Sequence, residues 1–214
     1  MGRRSDHSRE ELQTLIIDAT LALVQEQGAE RVTARKIAQA VGYTPGMLYS
    51  VFINLQDILL QVNQLGLKTL YTTCASAIQS NPEPDAAIRA MGMAYLSFAE
   101  EHTHQFDLMF TRSEAQHDDA ASSIQHQIHA LFSLIEKQLQ LLAPSATQAD
   151  VSLAARALWS GVHGVAALRS SNQLYLEQPR TDSDIVNLLV NHFLMSWQSA
   201  LTLSPSSATA RFRQ

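Results

Sequence analysis

Residues 33–52, TARKIAQAVGYTPGMLYSVF, hold the side chains with the most chemical consequence in this sequence. Thr33 suits the cap of a helix running to Val41, with Ile37, Ala38 and Val41 on its packing side. Gly42 permits the positive φ that a sharp turn needs. Thr44 followed by Pro45 then suits a second helix start, where the missing proline N–H costs nothing. Leu48 and Phe52, four apart, anchor that second helix, and the spacing carries it to about Phe52. Thr44, Pro45, Gly46, Met47 and Tyr49 are left on its outer face and N-terminal end, the part of a helix-turn-helix that enters a DNA major groove. The amides at such a helix start also favour a phosphate. Any αα-hairpin in a bundle shares this spacing, so spacing alone leaves both readings open.

Other groups of residues suggest a small-molecule chamber. Tyr95, Phe98, Phe106, Met109 and Phe110 fall in one stretch rich in aromatic residues and methionine. Trp159 and His163 are four apart, on one face of a later helix. Large apolar residues with a few polar groups suit a ligand pocket, and an ordinary core has the same composition. His126 and His129, with His117 before them, lack the cysteine or carboxylate that would complete a zinc set, so no metal is expected. There is no Gly-rich phosphate loop, nucleophile elbow or HExxH, and Cys74 has no evident base. No enzyme and no cofactor are expected.

The elements that must position these residues read as helices throughout, which makes the chain all-α. Ser8-Arg9-Glu10-Glu11 forms a capping box before the stripe Leu12, Leu15, Ile16, Ala19 and Leu23, and Gly28 ends that helix. Asn54 with Asp57 starts a long fourth helix reaching about Ser80. Further helices are expected over roughly 85–102, 103–111, 117–142, 147–170 and 182–203. The small residues Ala157, Gly161 and Gly164 allow a close helix approach. The final helix is apolar over most of its circumference, so it must be buried on two sides. Leu189 and Phe193 are therefore expected with them at a twofold interface between two copies of the chain.

Of 214 residues, 46% are hydrophobic and 16% charged, which excludes a disordered chain. A net charge of −5 excludes a generally basic, histone-like protein but not a locally basic face. The single cysteine fits a reducing cytoplasm. No apolar run suggests a membrane span, and the start MGRRSDHSREE lacks a signal-peptide core.

The order Thr33, Ile37-Ala38, Val41-Gly42, Thr44-x-Gly46-x-Leu48-Tyr49 and Phe52 resembles the N-terminal domain of the TetR family of bacterial transcriptional regulators. Trp159-Ser160-Gly161-Val162-His163-Gly164 is similar to the Trp/His/Gly signature in the C-terminal domain of one subclass. The resemblance implies a DNA-binding domain over 1–56, a ligand-binding and dimerisation domain over 57–203, and a tail over 204–214 read as disordered. With the chemistry of the side chains, it assigns phosphate contacts to Thr33, Thr44 and Tyr49. Arg35 and Lys36 would reach the DNA backbone or a guanine, and Tyr43, Pro45, Gly46 and Met47 would lie nearest the bases. The expected partners are a palindromic operator, a largely apolar small molecule and a second copy of the chain.

Two positions depart from the family pattern. Val51 stands where a polar ring is usual, and Leu55 replaces the lysine usual at the start of the fourth helix. Residues 1–56 hold six basic and six acidic side chains, with Arg3 and Arg4 as a possible arm. Phosphate neutralisation supplies much of DNA affinity. The alternative is therefore a helical sensor or interaction protein whose helix-turn-helix no longer binds DNA.

Overall fold

A computed structural model of the protein describes residues 8–110, 118–175 and 179–202. Among these the elements are helical: α1 (Arg9–Gln27), a 3-10 turn (Ala29–Arg31), α2 (Ala34–Val41), α3 (Pro45–Leu48), α4 (Leu55–Gln79), α5 (Pro84–Glu101), α6 (Thr103–Phe110), α7 (Asp118–Leu142), α8 (Gln148–Ser170) and α9 (Asp182–Thr202). Arg3, Arg4, His117 and the 204–214 tail lie outside the described residues.

Local chemistry sets the helix ends. Ser8 Oγ accepts from the Glu11 amide at 3.2 Å and the Glu11 carboxylate accepts from the Ser8 amide at 2.7 Å, completing the capping box. The Asn54 and Asp57 side chains do the same for α4, accepting from the Asp57 and Ile53 amides at 2.9 and 3.0 Å. Gly42 closes α2 in the left-handed region at φ 74°. A Cβ there would meet nothing within 4 Å, so backbone conformation rather than space calls for glycine.

The chain divides into two compact units and passes between them three times, inside α4 after Thr69, between α5 and α6, and inside α7 after Gln127. The first unit holds α1 to α3, the start of α4, α6 and the start of α7. Its core joins Leu12, Ile16 and Val24 of α1 to Ile37, Leu48, Phe52 and Ile58. The apolar side of α6 packs on α1, and α4 approaches α6 closely at Gly66. A Cβ at Gly66 would come within 3.0 Å of both the Gln105 and Met109 side chains.

In the second unit α5, α8 and α9 pack mutually, burying Ile88 and Leu96, Val151 and Leu158, and Val186 and Val190. Arg169 joins the ends of three helices through Glu100 and Asp182. Cys74 is buried in this unit, and burial pushes its thiol up to about 12. One correction concerns α8. By length and composition it is apolar enough to cross a membrane, an 18-residue stretch of it having a mean hydropathy of 1.2. Its buried face packs on α5 and α9, as the core helix of a globular unit does.

Candidate functional site

The helix-turn-helix is held from beneath by buried Ile37, Ala38, Leu48 and Phe52. Above that floor Thr33, Arg35, Lys36, Thr44, Pro45, Gly46 and Tyr49 are exposed. Tyr43 and Met47 are half-buried against the same core, so each offers only part of its surface to a partner. Thr33 Oγ1 accepts from the Lys36 amide at 3.3 Å, leaving it at the helix start where a phosphate would sit.

The second helix differs from the spacing's prediction. It is four residues long, ending at Leu48 and not near Phe52. The Ser50 hydroxyl donates to the Met47 carbonyl at 2.7 Å, a side-chain competitor for a helical bond. Turns through the Val51 and Phe52 amides, both donating to Leu48 O, bring Phe52 into the core all the same. Thr44 stands at the N-cap of this helix with extended backbone, as expected, but its side chain makes no capping bond. Pro45 removes the amide at the first helical position.

Two cationic or substituted positions bear on DNA affinity. The Lys36 ammonium donates to the Arg31 carbonyl at 2.9 Å and to Gln27 Oε1, fastening the turn after α1. Leu55 is half-buried against the core. Ile53, 69% exposed just beyond the recognition segment, is an apolar surface residue that the spacing gave no reason to single out.

The second unit contains an apolar chamber of ≈ 30 Å³. Helix α5 lines it with Ile88, Met91, Gly92 and Tyr95. Ile135 of α7, Leu158, Trp159 and Val162 of α8, and Val190 of α9 complete the wall. Tyr95 Oη lies 2.9 Å from His163 Nδ1, and the Trp159 ring stacks on His163 at 4.9 Å and 19°. Behind Trp159, Phe132 meets its ring edge-on at 5.5 Å, and Arg156 covers Phe132 at 4.6 Å while pairing with Glu136 at 3.1 Å. Burial lowers the His163 imidazole from its usual value and raises the Tyr95 phenol. Both are therefore neutral near pH 7, and the imidazole tautomer sets which of the phenol and Nδ1 donates to the other.

The structure thus brings together Tyr95, Trp159 and His163 of the expected pocket residues. Phe98 is buried in the same unit without lining the chamber. Phe106, Met109 and Phe110 belong to the first unit, where Phe106 and Phe110 pack ring to ring at 4.9 Å. Sequence spacing missed Gly92, although glycine amid good helix formers costs about 1 kcal/mol and marks a position where space or close approach matters. Among the described residues no three histidine, cysteine or acidic side chains gather as a metal set.

The outer sides of α8 and α9 carry exposed Leu153 and Leu168, and Leu188 and Met195. Ala157 is exposed, and a Cβ on Gly164 would meet nothing. Gly161 serves packing within the chain itself, because a Cβ there would lie 2.5 Å from Leu189 Cδ1. Phe193 is half-buried and stacks on Trp197 at 6.5 Å.

Comparison with known proteins bears on both units. Residues 16–62 match the bacterial regulatory proteins of the tetR family, and residues 88–193 match the tetracyclin repressor-like C-terminal domain. No curated protein matches the sequence. Among solved structures, a protein of unknown function from Rhodococcus sp. RHA1 is 20% identical, with a TM-score of 0.74 over 91% of this chain and 98% of its own. The TetR family regulator PfmR from Thermus thermophilus is also 20% identical, with a TM-score of 0.62 over 84% of this chain and 97% of its own. The transcriptional regulator FadR from Bacillus subtilis, solved in complex with stearoyl-CoA, is 18% identical with a TM-score of 0.63, covering 87% of this chain and 97% of its own. At these identities the structures share the fold. The two matched domains, in this order along one all-helical chain, place the protein in the TetR family of bacterial transcriptional regulators.

Proposed function

We propose that the protein is a cytoplasmic, homodimeric repressor that binds a palindromic operator through α2 and α3 and is released by a small molecule bound in the second unit. The observation that carries this reading is the exposed surface of Thr33, Arg35, Thr44 and Tyr49 on a fully packed helix-turn-helix. Thr33, Thr44 and Tyr49 offer phosphate contacts, and Pro45, Gly46 and Met47 lie nearest the base edges. The apolar stripes on α8 and α9 supply the twofold contact. The FadR relative in complex with stearoyl-CoA supports an effector site in this fold.

Helix α4 contributes residues to both units, which gives the effector a continuous element to act through. A ligand preferring the DNA-incompetent state ~100-fold supplies about 2.7 kcal/mol of coupling. Linkage requires DNA to weaken that ligand by the same factor.

Selection from random duplex DNA tests the reading. The expected product is an inverted repeat with half-site centres ~34–36 Å apart, or a multiple. Tyr49→Phe should then weaken binding severalfold and alike on every selected sequence, because a phosphate contact reads no base. Substituting Tyr43 or Met47 should change which sequences are selected. A second reading rests on Leu55 and the engaged Lys36 ammonium: a sensor whose helix-turn-helix has lost DNA. Recovery of no symmetric sequence would favour it.

A further inference from the structure

The chamber in the second unit has two properties that together select a ligand. First, no lining side chain carries a charge and the surface facing the space is apolar, the hydroxyl of its Tyr95 being turned into the wall onto His163 at 2.9 Å. A carboxylate or ammonium entering such a site loses its hydration with no counter-charge to meet it. Second, the space lies beside Gly92 of α5. A Cβ at Gly92 would sit 3.5 Å from Val186 Cγ1, 3.6 Å from Val190 Cγ2 and 3.9 Å from Val162 Cγ2, ordinary contact distances with no clash. A methyl group therefore fits where the sequence has none, although alanine favours a helix interior over glycine. The cost of glycine is matched by room kept between α5, α8 and α9.

At ≈ 30 Å³ the chamber holds about two water-sized bodies, far below the ~300 Å³ of an ordinary drug-sized site. The ligand must then be compact and enlarge the space by moving neighbours. Met91, unbranched and lining the chamber, is the side chain best able to yield.

Resting on the reading of this chamber as the effector site, we propose that Gly92 and the Tyr95–His163 pair make it a receptor for an uncharged, compact, mainly apolar molecule with one hydrogen-bonding oxygen or nitrogen. The ligand group reaches the phenol–imidazole bond by displacing one of its partners as the wall opens, and its apolar body occupies the notch beside Gly92. Trp159, stacked on His163 and lining the same wall, reports occupancy directly.

The probes are straight-chain alcohols from butanol to decanol, with carboxylates and alkylammonium ions of the same lengths. Trp197 is the other tryptophan, so a Trp197→Phe background isolates Trp159 emission. Alcohols of intermediate length should shift that emission and raise the unfolding temperature, while both ionic series should bind at least tenfold more weakly. Gly92→Ala should raise the melting temperature of the free protein by about 2–4 °C and weaken alcohol binding at least tenfold. Lost binding in a more stable variant is not unfolding. Tyr95→Phe should weaken the alcohols about tenfold, the worth of one hydrogen bond.

An ionic series binding as tightly as the alcohols would overturn the ligand class and leave the chamber an effector site. Unchanged alcohol affinity in Gly92→Ala would overturn the role of the notch. If none of the three series shifts Trp159 emission or stabilises the protein, the effector-site reading falls and this proposal with it.

Discussion

Leu48→Ala is expected to abolish operator binding while the chain remains folded. Helix α3 has four residues, too few to persist unaided, and Leu48 is its one fully buried side chain. Cutting a buried leucine to alanine removes about 2–5 kcal/mol through lost transfer energy and the cavity left behind. Against a domain stability of roughly 5–15 kcal/mol, that loosens α3 without melting the molecule. A recognition segment without its anchor loses the fixed geometry that base and phosphate contacts require, so affinity should fall at least about a hundredfold. Leu48→Met keeps volume and apolarity, costs less than ~1.5 kcal/mol and should retain binding. Fluorescence anisotropy on the selected operator, run well below each variant's melting temperature, checks both. Wild-type affinity in Leu48→Ala would show that α3 is not what reads the DNA.

Leu188→Asp combined with Met195→Asp should convert the protein from dimer to monomer. These side chains are 60% and 65% exposed within one chain, so the protomer depends little on them. In a twofold interface each substitution acts twice, placing four carboxylates on an apolar surface at a cost of several kcal/mol. Sedimentation velocity at micromolar concentration should show a dimer for the wild type and a monomer for the double variant. Operator affinity should fall more than about a hundredfold with it, since each monomer then holds a single half-site. Leu189 is the poorer choice for this test. It fills the hollow at Gly161, and an aspartate there would damage the protomer's own α8–α9 packing. A monomeric wild type, or a double variant that still dimerises, would overturn the interface.

Features decided by near neighbours in the chain were the legible ones. Ser8 with Glu11, Asn54 with Asp57, and Gly42 after α2 all act within four residues, and their residue types determine the outcome. The end of α3 escaped the same logic, because Leu48–Phe52 spacing fits both a helix and the turns that the Ser50 hydroxyl favours. The chamber was readable in pieces. Trp159 and His163 follow from helical periodicity, but Tyr95 lies 68 residues from its hydrogen-bond partner and only the fold brings them together. Phe106 and Met109 show the limit of periodicity, which says that a side chain is buried and not which core buries it. Arg156 over Phe132 carries no local signal at all.

Cys74 gives the second unit a built-in clock. It is the sole thiol in the sequence, it is buried, and its pKa of about 12 keeps it protonated. A disulfide reagent needs an exposed thiolate, so the reaction must wait for the surrounding helices to open. When reclosing outruns labelling, the observed rate equals the opening equilibrium constant multiplied by the rate for a free thiol. An effector held only by the closed form would slow that rate by one plus the ratio of its concentration to its dissociation constant. The same residue therefore measures, through its labelling rate, how firmly the helices around it in the second unit are closed.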